Sequence, residues 1–368
     1  MPAPLVQNRS PQKSWRGLSL LFLSLLPLLA IFHLVMWFAF TRTLFRPETG
    51  SSKRIGYLVG LEDCQGKLEA AEPQTGFTNL DFAKLEVKEG TRFAYFGDSF
   101  GGEIAKACSL QWHEPVGGLR VNWSQKNGLS QIMEWVRSGW FRDHGVKVLM
   151  VERVECEWLD TFSDPGDSTL NVPIKEVRTA GGLPPAYEKA VPWTFANNGN
   201  FKVVMYNFAY LFSPTAWDQT DTCVVHLDRD FFNCSYSRLL LFYKGDLTRG
   251  VCNVPKNLPR FEQAIANVKA LSDLCHEQGI QFYLMVPPNK STIYYPWVIK
   301  PFYAKSKTLD MLQERAAPYG YVDLQAPFHE KLEAGTKDFY LPDDLHWAFG
   351  AAQEAARVIT QAGAGPKP

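Results

Sequence analysis

One short stretch, Thr91-Arg-Phe-Ala-Tyr-Phe-Gly-Asp-Ser-Phe-Gly-Gly-Glu103, constrains the fold of this 368-residue chain most. Its apolar run from Phe93 to Phe96 predicts a buried strand, and Gly97 predicts a sharp turn directly after it. From Glu103 onward, apolar residues at helical spacing predict a helix. A strand that passes through a tight turn into a helix presents Ser99 at the carboxyl end of a sheet, where open α/β sheets hold their sites.

A second motif lies near the other end of the chain, at Asp343-Asp344-Leu345-His346-Trp347, before a predicted helix. A serine hydroxyl is a poor nucleophile in water, so it needs a base, and the base needs an orienting group. His346, with a carboxylate two or three residues before it, supplies what such a serine requires. We therefore predict that Ser99 is a nucleophile and that His346 is its base.

The two motifs belong to a chain in which strand patterns alternate with helix patterns. The patterns predict strands at 93–96, 119–123, 146–154, 280–286 and 321–324, and helices at 103–110, 130–143, 259–278, 306–317 and 349–359. Such alternation predicts an α/β fold in which helices sandwich a parallel sheet. We expect one large domain over 91–360, preceded by a lead-in at 41–90 and followed by a tail at 361–368.

The alternation is interrupted between residues 155 and 255. This segment is rich in proline and glycine and contains short aromatic strand patterns at 203–210 and 238–243. We interpret it as an aromatic-rich insertion at the edge of the sheet that carries the site.

Residues 17–40 contain no Asp, Glu, Lys or Arg. That length is enough to span a bilayer as a helix, and it exceeds the apolar core of a typical signal peptide. We predict an uncleaved transmembrane signal anchor that follows a tail at 1–16. Basic residues flank the stretch on both sides, so the charge distribution leaves its orientation open.

Composition excludes some classes of partner. The formal net charge is zero and no long basic run is present, which disfavours nucleic acid as a partner. The seven cysteines include no Cys-x-x-Cys pair, which disfavours a zinc site, and we expect neither a metal nor a cofactor. Cys108 and Cys275 fall on apolar helix faces and are expected to be buried thiols. Cys223, Cys234 and Cys252 cluster in the predicted insertion, and two of these three could pair in an oxidising compartment, but the sequence leaves the pairing open.

Taken together, Gly97-Asp98-Ser99-Phe100 and the motif that ends in His346-Trp347 resemble the SGNH (GDSL-type) serine hydrolases and acyltransferases. The similarity is greater to the AlgX/AlgJ-type branch of polysaccharide O-acetyltransferases, because Val151-Glu152-Arg153 and Val286-Pro-Pro-Asn-Lys290 also fit that branch. It extends over roughly 92–359. One feature departs from the alginate proteins: there the aspartate and histidine precede the serine, whereas here they follow it, as in ordinary SGNH enzymes.

The resemblance implies an SGNH-like, flavodoxin-like fold and a serine acyl-enzyme. Ordinary SGNH spacing places the orienting carboxylate at Asp343, three residues before the histidine. The histidine-tryptophan branch has a spacing of two and implies Asp344. Both alternatives stay open, with a slight preference for Asp344.

The remaining predicted site residues concern the oxyanion and the substrate. An oxyanion hole needs backbone N–H groups directed at the developing charge, and the resemblance suggests Gly128 beside the amide of Ser99. Arg153 either holds an acyl oxygen or a sugar or pairs with Glu152. Lys290 and Tyr294 either line the cleft or lie in a solvated loop, and Trp347 follows the histidine directly as in that branch.

The resemblance implies an O-acyltransferase that acetylates a cell-envelope or exported polysaccharide. It also implies a bacterial membrane location with the tail at 1–16 cytoplasmic and the large domain periplasmic. The acyl donor is expected to be delivered by a multi-spanning membrane acyltransferase. Two alternatives remain: an esterase that passes the acyl group to water, and a non-catalytic glycan-binding assembly module.

Overall fold

A five-stranded parallel sheet is the centre of the computed structural model, which describes residues 23–32, 91–114, 116–120, 128–164, 222–233, 237–248, 257–342 and 345–365. The strands are β1 Phe93–Gly97, β2 Val116–Arg120, β3 Val148–Glu152, β4 Thr222–His226, β5 Leu239–Tyr243, β6 Gln281–Met285 and β7 Tyr321–Val322. The parallel sheet has the order β2-β1-β3-β6-β7, and β4 and β5 form a separate antiparallel pair. The predicted parallel α/β sheet is therefore confirmed.

Helices follow most of the strands. They are α1 Gly101–Trp112, α2 Gly128–Arg137, α3 Trp140–Asp143, α4 Glu155–Ser163, α5 Gly245–Thr248, α6 Leu258–Glu277, α7 Lys290–Ile293, α8 Thr308–Ala316, α9 Gln325–Glu333 and α10 Phe349–Gln361. Single 3₁₀ turns occupy Tyr295–Trp297 and Ala317–Tyr319.

Alternate side chains of β1 face opposite sides of the sheet, because the side-chain period of a strand is two. Phe93 and Tyr95 pack in one apolar cluster with residues of α1, α9 and α10. Ala94 and Phe96 pack in a second cluster with residues of α2, α4, α6 and α8. The sheet is thus covered on both faces, which is the arrangement that parallel sheets require.

The strand order places a topological switch beside β1. β1 pairs in parallel with β2 on one side and with β3 on the other, so the connections after β1 and β3 leave the same edge of the sheet. In open α/β sheets this edge holds ligands where the strand order reverses. Ser99 follows β1, and Arg153 follows β3.

Several predicted elements differ in their bounds. The second strand was expected at 119–123 but lies at Val116–Arg120, because its register pairs Val116 with Phe93; residues 121–127 lie outside the described part. The prediction of a single helix at 130–143 is wrong. α2 ends at Arg137 and α3 begins at Trp140, since Gly139 between them has a φ of +75°, a conformation that glycine adopts readily.

The predicted insertion begins with a core helix. α4 lies within the segment 155–255, yet it packs against α6 in the second apolar cluster. The departure from the alternation therefore starts after Ser163. β5 corresponds to the strand pattern predicted at 238–243, whereas the pattern at 203–210 lies outside the described residues.

Of the predicted anchor at 17–40, the structure describes residues 23–32, which are helical and carry exposed leucines. Within the described ranges, no helix is both long enough and apolar enough to cross a membrane. The predicted tail at 1–16, most of the anchor and the lead-in at 41–90 lie outside the described residues.

Candidate active site

Ser99 and His346 meet although 246 residues separate them in the chain. The distance between His346 Nε2 and Ser99 Oγ is 2.6 Å. Ser99 lies in the turn between β1 and α1, and His346 lies shortly before α10. α1 and α10 pack against each other, so their contact brings the two ends of the domain together. The distance allows a hydroxyl to donate its proton to an unprotonated imidazole nitrogen.

The side chain of Asp98 organises the turn that carries Ser99. Its Oδ1 accepts a hydrogen bond from the Phe100 N–H at 3.0 Å, while its Oδ2 accepts from the Val154 N–H at 3.2 Å and from Arg153 at 3.3 Å. An aspartate that bonds to the backbone two residues ahead stabilises a tight turn. Asp98 therefore links the loop after β1 to the loop after β3.

Below this turn, the Tyr95 hydroxyl donates a hydrogen bond to Glu152 Oε2 at 2.5 Å, and the Asp98 N–H donates to the same oxygen at 2.8 Å. The Tyr95 ring fills the space under the turn. A Cβ atom at Gly97 would overlap Tyr95 and Glu152, and a Cβ atom at Gly101 would overlap the Tyr95 ring. The glycines thus permit the close approach of backbone and ring.

Glu152 and Tyr95 are both completely enclosed by protein. Burial, followed by the charge of Asp98, raises the pKa of the Glu152 carboxyl well above its ordinary value. Burial also raises the pKa of Tyr95, and the neighbouring charge of Glu152 adds to that effect. Within the described residues, Glu152 Oε1 is a buried oxygen without a hydrogen-bond partner. Burial therefore opposes ionisation of Glu152 under the serine turn, whereas the hydrogen bonds from Tyr95 and from the Asp98 N–H favour its charged form.

Aromatic packing orients the histidine. The Phe100 ring lies 4.9 Å from the His346 ring and 5.1 Å from the Trp347 ring, measured between centroids. Trp347 also contacts Phe328 and is buried in the first apolar cluster. The structure therefore places Trp347 in the core, where it supports His346, and not in an open substrate cleft.

Lys290 and Tyr294, expected in a cleft or a solvated loop, are buried. The exposed fractions of the two residues are 1% and 0%. Tyr294 packs among the aromatic rings of Phe231, Phe232 and Tyr340, and burial raises the pKa of its hydroxyl. The alternative prediction, that these two residues lie in a solvated loop, is therefore wrong for both.

Arg153 forms part of the polar network beside the serine turn. Its guanidinium pairs with Asp98 and Glu157 and bonds to Thr161. Glu152 bonds instead to Tyr95 and Asp98, so the alternative of a pair between Arg153 and Glu152 is excluded. The pair with Asp98 links the Arg153 guanidinium to the turn that carries Ser99.

Gly128 is the first residue of α2, the helix that follows β2. Asp343 and Asp344 lie outside the described residues. The choice between the two aspartates as the orienting carboxylate therefore stays a prediction, and so does the role of Gly128.

Sequence patterns missed two features of this site. Tyr95 looked like an ordinary apolar strand residue, and its hydroxyl bond to Glu152 depends on the register between β1 and β3. Lys290 donates hydrogen bonds to the carbonyl oxygens of Leu341 and Pro342, which are 51 and 52 residues away in the chain. They belong to the loop at 340–347 that carries His346, called the histidine loop below. For the bond between Tyr95 and Glu152, the only local signal in the sequence was an apolar strand pattern that ends in a glutamate.

The comparisons with known proteins concern the second half of the chain. Residues 241–365 match a family model described as SGNH hydrolase-like domain, acetyltransferase AlgX. The matched part contains His346 and Lys290, whereas Ser99 lies before it. No curated protein and no solved structure matches the chain. The resemblance that the serine and histidine motifs indicate is thus confirmed over residues 241–365, which are similar to the SGNH hydrolase-like domain of the acetyltransferase AlgX.

Proposed function

We propose that this protein is a serine-dependent O-acyltransferase that moves acetyl groups onto a polysaccharide. One observation carries the proposal: the 2.6 Å distance between Ser99 Oγ and His346 Nε2 at the carboxyl edge of a parallel sheet. The family match of residues 241–365 supports an acetyltransferase-like or esterase-like role on polysaccharide.

The reaction proceeds in two half-reactions. In the first, Ser99 Oγ attacks the acyl carbonyl, its proton passes to His346, and His346 then gives that proton to the departing alcohol. The acyl group is now an ester of Ser99. In the second, an acceptor hydroxyl gives its proton to His346 and attacks this ester, which releases acylated product and restores the serine hydroxyl. The orienting carboxylate is Asp344 or Asp343, as in the two spacings of the resembling enzymes.

Backbone N–H groups at the serine turn stabilise the negative oxygen of each tetrahedral intermediate. The amide of Ser99 lies two residues before the first residue of α1, and the dipole of that helix favours negative charge near its beginning. Gly128, at the beginning of α2, is the second proposed donor. Arg153 holds Asp98 and thereby the shape of the turn.

The cellular setting is also part of the proposal. Residues 17–40 anchor the chain in a bacterial membrane, and the large domain works on the periplasmic side. The acceptor is a cell-envelope or exported polysaccharide. A multi-spanning membrane acyltransferase delivers the acyl donor, because a single membrane span has no path by which acetyl groups can cross.

Incubation of the full-length chain with p-nitrophenyl acetate, with and without an unacetylated oligosaccharide, tests the function. We expect nitrophenol release, an acetyl group on the Ser99 peptide and acetyl ester on the sugar, all detected by mass spectrometry. Ser99→Ala and His346→Gln should each lower turnover by about 10³-fold or more. Ser138→Ala, in the break between α2 and α3, is the matched control and should retain full activity.

The same experiment separates the esterase. If hydrolysis is rapid and the sugar gains no acetyl group, water is the acceptor and the transferase proposal fails. If the unaltered chain shows no turnover and Ser99→Ala keeps normal function in cells, the chain is a non-catalytic glycan-binding module.

A further inference from the structure

The ammonium of Lys290 is buried against the loop that carries the histidine. Lys290 is the first residue of α7, directly after the connection from β6. Its Nζ donates hydrogen bonds to the carbonyl oxygens of Leu341 at 2.7 Å and Pro342 at 3.2 Å. A charged donor gives stronger hydrogen bonds to carbonyl oxygens than a neutral donor does.

Backbone contacts within the histidine loop involve the same residues. The Leu341 N–H donates to the His346 carbonyl at 2.9 Å, and Tyr340 and Trp347 form an isolated antiparallel bridge. Leu341 therefore bonds to the lysine through its carbonyl and to the histidine through its N–H. Two consecutive hydrogen bonds connect the ammonium to the backbone of His346.

Pro288, two residues before Lys290, also contacts the histidine loop. The Tyr340 hydroxyl donates to the Pro288 carbonyl at 2.6 Å. Pro288 and Lys290 thus hold two neighbouring parts of the histidine loop, one at Tyr340 and the other at Leu341 and Pro342.

This segment is itself fixed to the core. The Asn289 N–H donates to Glu155 Oε2 at 2.9 Å, and the Ser306 hydroxyl donates to Glu155 Oε1 at 2.7 Å. Glu155 is completely buried at the beginning of α4, and its N–H donates to the Pro287 carbonyl at 3.0 Å. The lysine therefore projects from a backbone segment that Glu155, at the beginning of α4, holds in place through two hydrogen bonds.

We propose that Lys290 is a positioning residue that sets the place of His346 relative to Ser99 by holding the carbonyl groups of the histidine loop. The proposal rests on the proposed function, since it assigns the lysine a part in the same reaction. It differs from a substrate-binding role, because the residue is 1% exposed and its side chain is directed at protein backbone.

A small displacement of the histidine is enough to affect turnover. Proton transfer requires heavy atoms within about 2.6–3.2 Å, and a misplacement of about 1 Å can lower a rate about 10²-fold. Without the ammonium, the carbonyls of Leu341 and Pro342 lose a charged donor, and the loop is free to adopt other positions. Substrate affinity should have no such dependence, because the lysine is buried and its ammonium bonds to protein backbone.

Steady-state kinetics of full-length Lys290→Met test the proposal. Methionine has a similar length and no hydrogen-bond donor. We expect kcat for p-nitrophenyl acetate to fall by about 10- to 100-fold, while KM changes by less than about threefold. The rate at which a fluorophosphonate labels Ser99 should fall in parallel with kcat, because that reaction also requires the imidazole.

Val268→Ala is the matched control for a loss of stability. Val268 is buried on α6 in the second apolar cluster, away from the histidine loop, and its truncation destabilises the fold without removing a loop contact. At a temperature where both variants remain folded by circular dichroism, this control should retain the kcat of the unaltered protein. Lys269→Met controls for the loss of a surface lysine, since Lys269 is an exposed residue of α6.

An unchanged kcat in Lys290→Met overturns the proposal. So does an equal loss in Val268→Ala, which would indicate general destabilisation, or a rise confined to KM, which would indicate a substrate contact. If Lys290→Met does not fold, Lys290→Arg is measured by the same criteria, because it keeps a cationic donor at a changed position. Failure of the proposed function is recognised separately, by full activity in Ser99→Ala.

Discussion

At the scale of single residues, the Tyr95 ring determines which glycine after the serine turn can be replaced by a residue with a Cβ atom. Gly101 and Gly102 are adjacent at the beginning of α1, but a Cβ atom at Gly101 would overlap the Tyr95 ring, whereas one at Gly102 would meet no atom within 4 Å. Tyr95 is buried and bonded to Glu152, so its ring has no free space into which to move.

We therefore expect Gly101→Ala to reduce the free energy of unfolding by about 1–3 kcal/mol through overpacking and to lower turnover, since Ser99 lies in the displaced turn. Gly102→Ala is the matched control and should retain activity, with stability equal or raised by up to about 1 kcal/mol, because alanine favours the helix more than glycine does. Urea unfolding and steady-state kinetics of both variants measure the difference. Equal behaviour of the two variants would contradict this role of Tyr95.

Glu152 should make stability depend on pH. Because burial raises the pKa of its carboxyl in the folded protein, the unfolded chain releases this proton at a lower pH than the folded protein does. The resulting stabilisation is complete below the ordinary glutamate pKa of about 4.3. It is lost progressively as the pH rises toward the folded value.

Glu152→Gln keeps the size of the side chain and cannot ionise. We expect the difference in unfolding free energy, unaltered protein minus variant, to decrease between about pH 5 and pH 8, by about 1.4 kcal/mol for each unit by which the folded pKa is raised. Urea unfolding at several pH values measures this difference. A difference that is constant across that range would show that Glu152 titrates normally in the folded protein.

At the scale of secondary-structure elements, the contact between α1 and α10 holds the two site residues together. At its far end, Thr360 on α10 accepts hydrogen bonds from Trp112 Nε1 at 2.8 Å and Gln111 Nε2 at 3.0 Å on α1. Both helices begin next to a site residue, Ser99 for α1 and His346 for α10. Their packing therefore transmits the position of one motif to the other.

We expect Thr360→Val to reduce the unfolding free energy by about 1–3 kcal/mol, because the buried Trp112 N–H loses its acceptor. Thr360→Ser keeps the hydroxyl and should cost clearly less. Both variants should keep kcat within about threefold at a temperature where they are folded, since Thr360 lies at the opposite end of α10 from His346. Thermal unfolding followed by circular dichroism, together with kinetics, measures both effects. A greater stability loss for Ser than for Val would contradict the importance of the indole bond.

The sequence predicted the elements that have a strong local pattern. α6 and β6 appear almost at their expected bounds, and the buried thiols of Cys108 and Cys275 are confirmed. α9 was not predicted, because its apolar face becomes distinct only when it packs against α10. The break between α2 and α3 was missed because it needs one glycine at positive φ, which leaves the helical spacing of the apolar residues intact.

The same distinction, between features with a local pattern and features that depend on packing, applies to the site. Ser99 and His346 lie in recognisable motifs, and their expected proximity agrees with the 2.6 Å distance. Lys290 and Trp347 were also named from motifs, but their burial depends on how distant segments fold over one another, which the motifs did not predict. Local patterns therefore identified the reacting groups, whereas the way in which other residues hold those groups became apparent only from the packing.

At the scale of the whole molecule, the chain combines a sheet-based domain with an apolar N-terminal stretch. The described part of that stretch, residues 23–32, is a helix whose leucines are exposed, with Leu23 at 64% and Leu28 at 63%. A charge-free stretch of the length of 17–40 is sufficient to span a bilayer. Both site residues belong to the domain that begins at residue 91 in the chain, so anchoring and chemistry should be separable.

We expect the full-length chain to stay with bacterial membranes after alkaline carbonate washing and to require detergent for release. A chain of residues 41–368 should appear in the soluble fraction and keep kcat for p-nitrophenyl acetate within about twofold. The full-length variant Leu25→Lys with Leu29→Lys is the matched control. It keeps the length of the chain, but each lysine opposes membrane insertion by about 2.5–3.5 kcal/mol near a helix centre, so carbonate should extract it. Extraction of the unaltered chain by carbonate would refute the anchor, whereas loss of kcat in the shortened chain would show that the stretch before residue 41 also supports the catalytic domain.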